Sequence, residues 1–236
     1  MPGYSLILIL HVLAGVAALV CFWSAAFLRK GSPRHRAVGK VFLVAMTVIV
    51  ATSLPMTVEF VFFRQQPLSG LFLAYLMAIT GNAVWLSWRA VTDKRDWQVL
   101  VARPGWALSL WPMLLLAVTV LIVGLVAREP VMMAFSSIGL WAGMRMFRFA
   151  RRGPAHANWA LRQHYQSMLG AGIATHVAFL GIGMQPVWRW LQGHAVVPPI
   201  VIELFPWLAP MLVATVAGLW LNRRYGRVRA AATVAR

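Results

Sequence analysis

Apolar residues occupy the chain in seven long blocks, separated by short connections where polar and charged residues gather. The blocks run near Tyr4–Leu28, Ala37–Phe63, Leu71–Val91, Trp106–Ala127, Val131–Ala150, Leu161–Gly183 and Ile200–Leu221. Each is roughly 20 residues or longer, the length at which an α-helix crosses hydrocarbon. Inside a bilayer every backbone group needs an internal partner, so each block is expected as a helix. Barrel strands would be about half as long and would alternate polar with apolar positions. The pattern predicts an all-α, polytopic membrane helix bundle of about seven transmembrane helices. Residues 1–222 form one helix-bundle domain and residues 223–236 a basic cytoplasmic tail.

The connections then orient the bundle. The first carries Arg29, Lys30, Arg34, Arg36 and Lys40, the third Arg89, Lys94, Arg95 and Arg103, and the fifth Arg145, Arg148, Arg151, Arg152 and Arg162. The tail adds Arg223, Arg224, Arg227, Arg229 and Arg236. The second, fourth and sixth connections hold only Arg64, Arg128 and Arg189. Thus 19 of the 22 Lys and Arg residues fall on one side, which the positive-inside rule makes cytoplasmic. An odd number of spans with the tail inside puts the N-terminus outside, and the expected location is a bacterial inner (cytoplasmic) membrane. The first block has no basic stretch before it, so it is expected as a span and not as a cleaved signal peptide. The stretch Pro186-Val187-Trp188-Arg189-Trp190-Leu191 in the sixth connection suits a short amphipathic helix on the membrane surface.

Composition changes this picture little. Only 11% of the 236 residues are charged and 61% are hydrophobic, too few charges for a water-facing surface. The formal charge of +17 would otherwise suggest nucleic acid, but insertion topology accounts for it, so no nucleic-acid partner is expected. One cysteine, Cys21, allows neither an intrachain disulfide nor a cysteine-only metal site.

Ionisable groups inside a bilayer are costly and often functional. Three stand out: His11, Glu59 and His176. Helix rise places both histidines on the order of 10 Å below the outer surface, where two imidazoles on different helices would ligate haem b iron or a divalent transition metal. Glu59, about one turn shallower, would complete a two-histidine, one-carboxylate metal set. Gly15 and Gly172 each lie four residues from one of these histidines, on the same helix face, and leave room for a flat cofactor or a close helix contact. A second layer, His35 and His164 with His156 near them, lies toward the basic side and is a candidate for an inner haem. Asn82 and Glu59 are candidates for binding a quinol oxygen. Pro55, one turn before Glu59, is expected to kink the second span. No phosphate-binding loop with Lys and Ser or Thr is present, which excludes ATP as an energy source, and no His-x-x-x-His or His-Glu-x-x-His motif points to a helical zinc hydrolase.

The stretch Leu10-His11-Val12-Leu13-Ala14-Gly15, with Lys30-Gly31 and His35-Arg36-Ala37-Val38-Gly39-Lys40, resembles the opening of a bacterial multi-pass family filed as a domain of unknown function. Members of that family are described as predicted membrane proteins. The later residues Trp159, His164, Met168-Leu169-Gly170 and Ile173-Ala174-Thr175 resemble its closing motif. The resemblance covers spans one, two and six, and the others in hydropathy only. It implies no activity, but it groups His11, His35, His164 and Gly39 as one set. Three classes of function are therefore expected: a histidine-ligated haem or metal redox protein working with a quinol, a small-solute or proton-coupled transporter, and a non-enzymatic accessory protein that binds a membrane-protein partner.

Overall fold

The computed structural model describes residues 3–194 and 197–225, so the basic tail beyond Tyr225 lies outside the described residues. Among those described, the chain forms nine α-helices and no strand: α1 (Tyr4–Phe27), α2 (Pro33–Val58), α3 (Pro67–Thr92), α4 (Trp97–Ala102), α5 (Pro104–Ala127), α6 (Pro130–Arg152), α7 (Trp159–Ala178), α8 (Gln185–Gly193) and α9 (Pro199–Tyr225). Single π-turns extend α2 over Glu59–Phe63 and α7 over Phe179–Gly183. Seven of these helices are long, and they correspond to the seven apolar blocks.

Length and hydropathy qualify α1, α2 with its π-turn, α3, α5 and α9 as membrane spans, and α7 with α8 make a sixth if a 49° bend between them is allowed. The sixth connection does form the short helix expected there, α8. The remaining long helix, α6, falls below this hydropathy level because Ser136, Ser137 and its arginines dilute it. Large apolar side chains face outward all round the bundle, with Leu6, Phe27 and Val126 exposed by 70%, 82% and 81%. Such a surface suits lipid and not water.

Local chemistry explains the helix ends. Ser32 accepts from the His35 N–H at 3.2 Å and Pro33 occupies the first turn, where a missing N–H costs nothing. Lys30 Nζ donates to the carbonyls of Ala25 and Ala26 at 2.8 and 2.7 Å, closing α1. Pro67, Pro104, Pro130 and Pro199 start four more helices.

The helices form two halves joined at α3. In one, Ala18, Phe42, Leu43, Met46 and Ala171 bury one another between α1, α2 and α7. In the other, Leu86, Leu100, Trp106, Leu110, Met113 and Met146 unite α3, α4, α5 and α6, and Tyr75, Ala117, Val120, Met132 and Phe135 continue that core. Tyr75 pins α3 to α6: its hydroxyl donates to the Phe135 carbonyl at 2.6 Å and accepts from the Gly139 N–H at 3.0 Å. A Cβ on Gly139 would stand 2.7 Å from that hydroxyl, so the close approach requires glycine.

Contacts between helix ends define one basic face. His164 meets Ser87, Asn158 Nδ2 donates to the Tyr225 carbonyl at 2.7 Å, and Trp97 stands edge-on to Phe149. At this face Asp93, just past α3, accepts from Arg89 and from Arg103, whose Nε lies 2.7 Å from Oδ2 in each case. The hydrogen bonds from Arg103 and then Arg89 hold the Asp93 carboxyl below its ordinary range, outweighing the opposing effect of burial. This bridge ties the α3, α4 and α5 junction together.

Candidate functional site

α6 packs along α5, and α7 packs along α3 and α9. The space left between these groups, continued by α1 and α2, is a cavity of about 1420 Å³. Its walls include Val12, Leu76, Ile138, Ala142 and Ile173, and it is mostly apolar. Phe72, Phe135 and Trp207 draw α3, α6 and α9 together near one end, with ring centroids 5.0 to 6.0 Å apart. At the basic face Arg145 of α6 donates to Gln166 Oε1 of α7 across the gap. From Phe135 to Arg152, both lining the cavity, helix rise gives a length of about 25 Å.

His11 lines this cavity. Its Nδ1 lies 2.8 Å from Thr52 Oγ1, and that hydroxyl itself donates to the Val48 carbonyl at 2.7 Å. Thr52 therefore accepts from His11, which puts the proton on Nδ1 and leaves Nε2 without a partner among the described residues. Gly15, one turn along, also lines the cavity, and a Cβ there would meet nothing within 4 Å.

His176 is occupied at both nitrogens. Nδ1 donates to the Gly172 carbonyl at 2.7 Å, and Nε2 accepts from the Trp23 indole at 2.9 Å. Trp23 lies three turns beyond His11 on α1, about 18 Å along the axis, so the structure does not bring His11 and His176 together. Gly172 sits under the Phe22 ring with no room for a Cβ, which makes it a contact between α1 and α7. Glu59 is two turns beyond Thr52 on α2, about 10 Å away. Its Oε1 is 3.9 Å from Arg64 Nε, and its buried Oε2 has no hydrogen-bond partner. Among the described residues no three His, Cys, Asp or Glu side chains converge as a metal-ligand group.

The inner histidines are arranged differently. His35 Nδ1 donates to the Ala25 carbonyl at 3.2 Å and His164 Nδ1 to the Ser87 carbonyl at 3.1 Å. Each leaves Nε2 without a hydrogen-bond partner among the described residues, and the two rings are within electrostatic reach of one another. An imidazole held at Nδ1 by a carbonyl presents Nε2 as a ligand in a fixed tautomer. Gly39, one turn after His35, faces open space. Asn82 is buried on the cavity wall and donates to Met146 Sδ at 3.2 Å.

The charge pattern counts Arg145 and Arg162 with the fifth, basic connection. Both line the cavity, and so do Arg148 and Arg152. Their one signal in the sequence was spacing: Arg145, Arg148 and Arg152 recur three and four residues apart, on one helix face.

No family model matches the chain, and no curated protein or solved structure matches it.

Proposed function

We propose that this chain is a seven-span protein of a bacterial inner membrane, N-terminus outside and basic face in the cytoplasm, that takes an amphiphilic small molecule from the bilayer into its central cavity. The cavity carries this reading. A volume of about 1420 Å³ bounded mostly by apolar helix faces, with Arg145, Arg148, Arg152 and Arg162 in its lining at the basic face, suits a ligand with a long apolar body and a polar head. The alternation of basic and non-basic connections supports the orientation, and α6 counts as the seventh span because its arginines sit only in its last turns. Ligand access needs no water-filled path, since a bilayer molecule enters sideways between helices. The test is chemical. Protein purified in mild detergent is extracted with solvent and its bound amphiphile measured, beside an Ala174→Trp variant that fills the cavity wall. A defined molecule near one equivalent in the wild type, lost from the variant, is expected. The same mixed lipids in both proteins would sink the proposal.

A second reading rests on the inner histidines. Two imidazoles with bare Nε2 atoms, each fixed by a backbone carbonyl, form a candidate ligand pair for haem b or a transition metal, and a quinol in the cavity would then be its redox partner. His35 also serves as a cap on the C-terminus of α1, which accounts for its Nδ1 contact without any cofactor. A Soret band or bound metal in the wild type, abolished by His164→Ala, would favour the cofactor. A colourless, metal-free wild type grown with ample haem and metals would leave His35 and His164 as structural residues.

A further inference from the structure

Four arginines line the basic end of the cavity: Arg145, Arg148 and Arg152 on one face of α6, and Arg162 on α7. Arg145 reaches across to Gln166 of α7, one turn from Arg162 on the same helix face. Among the described residues the carboxylates are engaged or distant. Glu59 faces Arg64, Asp93 is held between Arg89 and Arg103, Asp96 caps α4, Glu129 precedes α6 at the opposite face, and Glu203 lines the other end of the cavity. Among the described residues no carboxylate lies within ion-pair distance of Arg145 or Arg162. The Arg145 guanidinium has a neutral amide as its partner: Gln166 Oε1 accepts from it.

Insertion topology explains why arginines lie at this face, but not why these four line the cavity. Arg151, in the same run, does not line the cavity. Like charges held together beside an apolar chamber repel one another unless an anion joins them. Guanidinium forks match phosphate oxygens in pairs. Above Arg145 the wall continues through Ala142, Ile138 and Phe135, about 15 Å of apolar helix.

Resting on the reading of the cavity as an amphiphile site, we propose that its ligand is a membrane lipid with a phosphate head group. The phosphate sits between Arg145 and Arg162, and the apolar chain lies along α6 toward Phe135.

The test uses full-length protein in dodecyl maltoside, with thermal shift as the readout and three probes: dioleoyl phosphatidic acid, inorganic phosphate, and a short-chain ubiquinol as a neutral amphiphile. Phosphatidic acid should stabilise the wild type saturably. Arg145→Gln and Arg162→Gln should each raise the half-saturating concentration about tenfold or more, the loss expected for one charge-assisted contact, while Arg151→Gln leaves it unchanged. Arg145→Lys should recover part of the affinity. If Arg145→Gln does not fold, Arg162→Gln reads the same contact from the other helix. Equal stabilisation by inorganic phosphate would overturn the lipid assignment in favour of a free-anion site. Equal loss with Arg151→Gln would reduce the effect to surface charge and overturn the site. Ubiquinol binding that ignores the arginines, with no preference for phosphatidic acid, would overturn the head-group inference while leaving the amphiphile cavity standing. Binding of none of the three would remove both.

Discussion

Two arginine clusters lie at the same face of the bundle and do opposite things. At the α3–α5 junction, Arg89 and Arg103 close on Asp93, whose side chain is only 5% exposed. Both guanidinium groups bond the one carboxylate, which offsets half of their charge, and the bridge fastens a connection. At the α6–α7 end, Arg145 and Arg162 face a cavity with no carboxylate between them among the described residues. The first cluster completes itself within the chain and is structural. The second has no such internal partner among the described residues, and it is the cluster on which the proposed lipid site rests. Residue type and depth do not separate the two; the position of one aspartate does.

The sharpest way to break this comparison is Asp93→Ala. It strands two guanidinium groups at a helix junction, and denaturation in detergent should show a larger loss of stability than for His176→Phe or Arg145→Gln, with exposure of the Arg103 side chain screening part of the effect. A variant as stable as the wild type would show that the bridge fastens nothing.

Acid should discriminate next. The Asp93 carboxyl is held below its ordinary value, which is about 3.9 for an aspartate. Its contribution is therefore complete above that value and is lost as pH falls through the lower, folded value. Melting temperature followed from pH 7 to pH 3 should fall for the wild type below about pH 4, by more than it does for Asp93→Asn. The arginine pair at the cavity has no group that titrates there, so Arg162→Gln should follow the wild-type acid profile.

A smaller effect is expected at His176. Replacing it with Phe removes the Trp23 contact but keeps an aromatic ring beside Phe22, and should cost about 0.6 kcal/mol, the average for a hydrogen bond between membrane helices. A loss of haem or metal on the same substitution would instead restore the outer histidine as a ligand.

The smallest change in stability should come from Arg145→Gln in protein stripped of lipid. It relieves repulsion from Arg162 at the cost of the Gln166 contact, so stability should stay within about 0.5 kcal/mol of the wild type. A large loss would mean that Arg145 is a strut like Arg89, and the two clusters would no longer differ in kind.

The helices were legible in the order of the residues. Seven apolar blocks became seven long helices because backbone groups in an apolar setting must pair within their own segment, a requirement that needs no knowledge of neighbours. The short helix at Gln185–Gly193 was legible for a similar local reason, since Gln185, Arg189 and Gln192 recur four and three residues apart, with Val187, Trp190 and Leu191 on the opposite face. The short α4 was missed, although Asp96 caps it by accepting from the Gln98 N–H at 2.8 Å, because six residues leave almost no periodic signal. Seven spans and their orientation rest on charge alternation, which insertion obeys whatever the helices later touch.

Which side chains meet was set by the packing of the bundle. Counting residues from the block ends put His11 and His176 at one depth, but helix rise says nothing of tilt, bend or rotation, and His176 met Trp23 while His11 met Thr52. The same ignorance hid the cavity arginines. Arg145 and Arg151 differ by fewer than two turns in sequence, and rotation about the α6 axis turns one toward α7 and the other away. Hydropathy is a property of each helix against lipid. A site is a property of helix faces against each other, and that is set by close contacts such as Gly139 under Tyr75 and Gly172 under Phe22, which form only once the bundle has closed.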